Sequence, residues 1–214
     1  MDLNWLLQQP EKSRDKAWEE SVLKGLLEAK VQIASSEPQV GPDGWPYLVV
    51  KTGPEGTEPF LRVVQWLSGR GIGLVVNAHK MLPDYIFTYG MLWNFVETGQ
   101  FIAPDKVTAA SGDVSYDSKD RIIAGAPTDQ YLPPYVRSVL KDFLGQQGFQ
   151  QPRVLVITHA PDYKITDFVF SVESLNGLEP KDQKVMAEAL AWFLPLHYSL
   201  VFAHEKDLPP FHAL

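Results

Sequence analysis

The chain has no cysteine, no long apolar run and few cations. The absence of cysteine among its 214 residues excludes disulfides, thiolate zinc sites and a cysteine nucleophile. No apolar run approaches the roughly 20 residues that a membrane-spanning helix needs. The 19 Lys and Arg residues are scattered singly and are outnumbered by 26 Asp and Glu residues, for a net charge of −7. Nucleic-acid binding driven by phosphate contacts is therefore disfavoured.

The composition is that of a folded protein. Apolar residues make up 45% and charged residues 21% of the chain, which is enough to build a full core as one large domain or two small ones. The apolar run from Trp5 to Leu7 is too short for the core of a signal peptide. We therefore expect a cytoplasmic protein with no membrane partner.

Apolar spacing predicts two successive sets of helices and strands. In the first half, helical spacing predicts helices over residues 15–29 and 60–67, and β-branched runs predict strands at residues 31–33, 47–50 and 72–76. The second half repeats a proline-led helix from Pro134 and a strand at residues 154–157, a weak repeat that chance explains equally well.

These elements predict an α+β fold of two α/β-type subdomains. Each subdomain is expected to be a small mixed or antiparallel sheet packed against helices. The predicted boundaries are residues 1–103 for the N-terminal subdomain, 104–130 for a linker and 131–214 for the C-terminal subdomain.

Two stretches, LVVNAHKMLPDYIF at residues 74–87 and LVITHAPDYKITDF at residues 155–168, share a histidine followed by Pro-Asp-Tyr. After the first triplet, apolar residues at helical spacing predict a helix over residues 84–98 that Asp84 caps and Gly99 ends. After the second, alternation predicts a strand over residues 165–172. The shared triplet is therefore interpreted as coincidental.

The two histidines nevertheless follow strand ends, where functional groups often collect. His79 with Asp84, and His159 with Asp162, are the candidate pairs for a catalytic imidazole oriented by a carboxylate. The spacing of His197, His204 and His212 matches no compact zinc pattern, and no phosphate-binding or dinucleotide motif occurs. We expect no metal and no cofactor.

Aromatic residues outside the helix faces are the candidate partner-binding residues. Trp45, Tyr116 and Tyr131 lie among polar turn residues, and exposed Trp and Tyr are favoured interface anchors. Trp66 and Trp192 fall on predicted helix faces and are expected to pack in the core. Residues 205–214 are expected to fold back onto the second sheet.

Several short runs follow one another in a fixed order along the chain. They are LLEAKVQI, GPDGWPYLVVKT, VVQWL, GLVV and ETGQFIAP, then RIIAGAPTDQYLPPYVRSVLKDFL, RVLVI, DFVFSV and DLPPF. This order resembles that of the enhanced serine sensitivity protein B family, over residues 15–103 and 121–214. The resemblance implies an N-terminal and a C-terminal α+β domain. It implies no reaction and no cofactor, so it assigns no catalytic residue.

Two hypotheses of function follow. The first and favoured one is a non-catalytic protein that acts by binding another protein, in regulation, secretion or toxin neutralisation. The second is a small hydrolase or transferase that uses His79 or His159 with an acidic neighbour. A histidine in a concave pocket favours the second hypothesis, and histidines on separate surfaces favour the first.

Overall fold

The computed structural model describes residues 2–78, 82–102, 122–159, 166–195 and 198–214. The chain forms two units, Met1–Phe101 and Ile102–Leu214. Each unit combines a mixed sheet with helices, which confirms the predicted α+β fold of two subdomains. None of the helices in these ranges is long and apolar enough to cross a bilayer.

The first unit packs helices against a sheet of short strands. Its elements in chain order are α1 (Leu3–Leu7), α2 (Lys16–Glu28), β1 (Lys30–Ile33), β2 (Gln39–Val40), β3 (Pro46–Thr52), β4 (Glu58–Pro59), α3 (Phe60–Ser68), β5 (Gly73–Val76), β6 (Tyr85–Phe87) and α4 (Tyr89–Thr98). The strand order is β4-β1-β3-β5-β6, with β2 also paired to β3. Only the β3–β5 pair is parallel among the described strands of this sheet.

Local signals explain why the early helices form where the sequence predicts them. Asp15 caps α2, since its carboxylate accepts a hydrogen bond from the Trp18 amide at 2.8 Å. In α3, the apolar residues at helical spacing are all buried, and the helix ends before Gly69. These residues join the sheet in one core, where the Phe60 and Phe87 rings lie 5.4 Å apart. Each fully buried side chain of this size contributes roughly 2 kcal/mol.

The helix predicted over residues 84–98 is wrong in its first part. Tyr85–Phe87 forms β6, antiparallel to β5, and α4 begins only at Tyr89. Thr88 is the cap, with its hydroxyl accepting from the Met91 amide at 3.1 Å. Pairing with β5 satisfies backbone groups that a helix would have left open at this sheet edge. Asp84 therefore does not cap α4.

The second unit also surrounds a mixed sheet with helices. Its elements are β7 (Ile122–Gly125), α5 (Pro134–Gln146), β8 (Arg153–His159), β9 (Thr166–Ser171), α6 (Pro180–Phe193), β10 (Tyr198–Ala203) and β11 (His212–Ala213). The strand order is β10-β9-β8-β11, and β7 pairs with β8. Strands β9 and β10 are parallel, and the other pairs are antiparallel.

Two sequence predictions bear on this sheet. Strand β9 confirms residues 166–171 of the strand predicted over residues 165–172. Val172 lies beyond the end of the strand, and residue 165 is outside the described part of the chain. Strand β7 lies within the segment 104–130 that was predicted as a linker, and it pairs with β8. Of that segment, residues 104–121 lie outside the described part of the chain.

The segment Glu205–Leu214 folds back onto the second sheet, as predicted. His212–Ala213 pairs with the beginning of β8, and the Leu214 amide donates to the Pro152 carbonyl at 3.0 Å. Phe211 packs against a cluster of buried apolar side chains from β8, β9 and β10.

A substitution at Gly73 tests how closely the chain packs at the parallel β3–β5 pair of the first sheet. A Cβ at this position would lie 2.6 Å from the Tyr47 ring and 2.9 Å from the Phe87 carbonyl oxygen. We expect Gly73→Ala to lower the free energy of unfolding by about 1–3 kcal/mol, because neighbouring groups must move. Urea denaturation measures the change. In the matched control, Gly145→Ala in α5 meets no atom within 4 Å, and it should be neutral or slightly stabilising. Equal effects of the two changes would contradict this account of the close approach.

Candidate functional site

Asp84 lies in a buried polar cluster at the end of β5. Its side chain accepts from the Asn77 amide nitrogen Nδ2 at 2.7 Å and from the Arg14 guanidinium at 3.5 Å. Asn77 adopts a φ of 58°, a conformation that asparagine tolerates better than most residues. Its side chain also accepts from the Thr52 amide and donates to the Thr52 hydroxyl, both at 2.9 Å. The cluster ties together the ends of β3, β5 and β6.

The same cluster reaches the beginning of the chain's second helix. Arg14 donates to the Asp84 and Leu7 carbonyls, both at 3.3 Å, so one guanidinium joins the turn before α2 to the turn before β6. Next to Asp84, the Tyr85 hydroxyl donates to Glu19 of α2 at 2.7 Å. Burial and this hydrogen bond to Glu19 raise the pKa of Tyr85 above its ordinary value. The contacts of Asp84 are structural, because they hold the ends of neighbouring strands and the turn before α2 together.

His159 and Asp167 form a close pair on the second sheet. The His159 Nε2 atom lies 2.7 Å from Asp167 Oδ2. His159 ends β8, and Asp167 is on β9 opposite Ile157, so the two side chains are diagonal neighbours on one face. The Asp167 side chain is 8% exposed and that of His159 is 23% exposed. A fixed carboxylate of this kind orients an imidazole and selects its tautomer.

The structure therefore gives His159 a different carboxylate from the one the sequence predicted. The predicted partner Asp162 lies outside the described residues, as does His79, the predicted partner of Asp84. Asp167 was missed because the strand register that places it beside His159 is not visible in the sequence. The alternation over residues 165–172 was the only signal, since it puts Asp167 and Val169 on a common face.

The remaining histidines are spread over the second unit. His204 Nδ1 lies 2.9 Å from a Glu173 carboxylate oxygen in an exposed pair, His212 is on β11, and His197 lies outside the described residues. Within the described ranges, no three side chains of His, Asp or Glu gather in a group that could hold a metal ion.

Neither of the two predicted aromatic anchors that the structure describes is an exposed side chain. Trp45 is only 2% exposed, so the expectation that it is free for a partner is wrong. The Asp43 carboxylate accepts from the Trp45 amide at 3.1 Å and from the Tyr47 hydroxyl at 2.6 Å, which folds this turn inward. Tyr131 is half-buried, and its carbonyl accepts from the Tyr198 hydroxyl at 2.7 Å. Tyr116 lies outside the described residues.

An exposed tryptophan occurs where the sequence predicted a buried one. Trp66 of α3 is 44% exposed, and Trp192 of α6 is 42% exposed, so the core positions predicted for both are wrong. At about 100° per residue, Trp66 lies roughly 110° from the centre of the buried face of α3. The helical angle was thus a signal in the sequence that Trp66 sits at the boundary of the apolar stripe.

Trp66 borders a groove between α3 and the end of β1. The groove has a volume of about 670 Å³, and we call it the Trp66 groove. It is lined by Ile33, Ser36, Leu48, Glu58, Arg62, Val63 and Trp66. Ile33 is 43% exposed, so two large apolar side chains flank the opening. The Arg70 guanidinium stacks over the Trp66 ring at 4.0 Å and restrains it.

Comparisons with family models, with curated proteins and with solved structures found no match for this chain. The resemblance to the enhanced serine sensitivity protein B family therefore stays a prediction.

Asp84 is expected to stabilise the folded protein. Replacing it in Asp84→Ala leaves the Asn77 amide and the Arg14 guanidinium without this acceptor, which should lower the free energy of unfolding by about 2 kcal/mol. Chemical denaturation measures the change. Glu55→Ala removes an exposed carboxylate of the same unit and should have little effect. An Asp84→Ala variant as stable as Glu55→Ala would contradict this structural role of Asp84.

Proposed function

We propose that this protein acts by binding another protein, and that the Trp66 groove is the contact surface. The observation that carries the proposal is the pair of large apolar side chains, Trp66 and Ile33, held exposed at 44% and 43% beside a formed groove. Adjacent exposed apolar side chains with polar residues at their rim are typical of a protein–protein contact site.

The composition of the groove matches that of an interface centre. Tryptophan and arginine are the residues that most often dominate binding energy, and Trp66 lies between Arg62, which lines the groove, and Arg70, which stacks on its ring. Because Arg70 already restrains the indole, less side-chain entropy is lost when a partner binds. Leu48 gives the groove an apolar lining that suits an apolar side chain of the partner. Glu58 and Arg62 offer charges of both signs that would orient the partner segment.

The proposal therefore commits to a partner segment that inserts one apolar side chain flanked by charged groups. A cytoplasmic setting and membership of the enhanced serine sensitivity protein B family are part of this proposal.

Trp66→Ala is expected to abolish partner binding and leave folding intact. Affinity capture from the native host, read by mass spectrometry, should recover a protein with the wild-type chain and lose it with Trp66→Ala. The free energy of unfolding should change by less than about 1 kcal/mol, because Trp66 is a surface residue.

Trp192→Ala is the matched control, since Trp192 is equally exposed but lies in the second unit. It should retain the captured protein. If the same proteins are recovered with all three chains, the Trp66 groove is not the contact surface.

A hydrolase or transferase that uses His159 is the second candidate, and the 2.7 Å contact with Asp167 supports it. A neutral imidazole that donates from Nε2 to Asp167 keeps its lone pair on Nδ1. That nitrogen would accept the proton of an attacking hydroxyl or water, and the buried carboxylate would stabilise the imidazolium that forms.

His159→Ala tests this second candidate. If the pair is catalytic, purified protein should hydrolyse activated esters or phosphate esters above the buffer rate, and His159→Ala should lower that rate by roughly 100-fold or more. Asp167→Asn should lower it less. His204→Ala is the control, because His204 also contacts a carboxylate but is 74% exposed. A rate that is unchanged in His159→Ala, or no turnover at all, would count against catalysis.

A further inference from the structure

The segment Glu205–Leu214, which we call the strap, is held on the second unit at both of its ends. Near its beginning, a Glu205 carboxylate oxygen lies 2.6 Å from the Arg153 guanidinium and accepts from the Ser171 hydroxyl at 2.5 Å. Ser171 is fully buried and also accepts from the Ser174 amide. The groups that bind the Glu205 carboxylate therefore belong to β8 and β9, and the turn after β9 holds Ser171 in place.

The other end of the strap is held by an apolar contact and by strand pairing. Phe211 packs against the cluster of Leu155, Ile157, Val169 and Val201. Strand β7 pairs with β8 from Val156 to His159, so β11 covers the part of the same strand at Arg153 and Val154. Without the strap, this part of β8 would present open backbone groups next to an apolar surface.

The middle of the strap has few contacts. Lys206, Pro209 and Pro210 are exposed, and Asp207 has a φ of 66°, which is unfavourable for a residue with a side chain. The β8–β11 register contains two residue pairs, whereas the β8–β9 register contains five. Segments with so few buried contacts and backbone hydrogen bonds open more readily than the core of a sheet.

We propose that the strap occupies, within its own chain, a binding site for an extended peptide of a partner protein. The partner peptide has the chemistry that the strap itself displays: a carboxylate for Arg153 and Ser171, a proline-stiffened middle, and an aromatic side chain for the apolar cluster. It adds a short strand to β8, a recognised mode of peptide binding. Proline lowers the entropy lost when such a peptide binds.

The surroundings leave room for a peptide that makes more contacts than the strap does. A depression of about 830 Å³ adjoins Ala213 and Leu214. Lys141, Gln150 and Asn176 are among the residues that line it, and they offer a cation and amide groups to further residues of a partner. This site lies in the second unit, and the proposal does not depend on the Trp66 groove.

The test uses the full chain and a synthetic peptide, EKDLPPFHAL, with a fluorescent label. In Phe211→Ala the strap is weakened in place, so the peptide should bind this variant about tenfold more tightly than it binds the wild-type chain, where the strap competes. The same peptide with alanine at its phenylalanine should bind at least about tenfold more weakly, because it lacks the apolar anchor. Fluorescence anisotropy measures each dissociation constant.

Glu205→Gln provides a second weakened strap if Phe211→Ala fails to fold, and circular dichroism shows whether each variant is folded. It should also bind the peptide more tightly than the wild-type chain does. Equal affinity for wild-type and weakened chains, no binding, or equal binding of a scrambled peptide would overturn the proposal. A wild-type chain that doubles its mass with concentration and then no longer binds the peptide would assign the site to a second copy, and would also overturn it.

Discussion

The buried Asp84 carboxylate is the constraint on which the geometry of the first unit depends. A carboxylate out of contact with water is costly unless donors surround it, and here they come from Asn77, after β5, and from Arg14, before α2. Asn77 in turn holds Thr52 at the end of β3. These donors meet at Asp84 only when the parallel β3–β5 pair and the beginning of β6 are in register. The hydrogen bonds to Asp84 therefore favour one arrangement of the sheet.

That sheet arrangement also determines what remains exposed. Helix α3 connects β4 to β5 and covers the sheet with Phe60, Val63, Val64 and Leu67. Ile33, at the end of β1, and Leu48 of β3 line the opening beside Trp66. The Trp66 groove is thus a consequence of how a helix of nine residues is placed on the sheet. Val63 and Leu48 of its lining are buried in the same packed core, which suits a preformed binding surface.

The parts of the fold that were predictable from the sequence are those fixed by local patterns. Helices α2 and α3 and strands β3, β5 and β9 follow from apolar period and from caps such as Asp15. The stretch Tyr85–Phe87 was predicted as helix because its apolar residues fit a helical period. It forms a strand instead because it pairs with the edge of β5. Of the candidate site, His159 was identified but Asp167 was not, since a diagonal contact between strands depends on register. Trp45 is buried in a turn where Asp43 accepts hydrogen bonds from the Trp45 amide and the Tyr47 hydroxyl, an arrangement that composition does not show.

The strap and the His159–Asp167 pair occupy opposite ends of one face of the second sheet. Along β8, Arg153, Leu155, Ile157 and His159 alternate onto this face, and β9 adds Asp167, Val169 and Ser171 opposite them. The separation of Arg153 and His159 along the strand is about 20 Å, at roughly 3.3 Å per residue. Phe211 packs on the apolar residues between them, so it covers the centre of the face without contributing a charge. A peptide that replaced the strap would reach the His159 end only if it continued beyond the position of Phe211 along β8, where β7 already occupies the strand edge. Binding at the strap site and any chemistry at His159 are therefore separable by position, and a change in one need not alter the other.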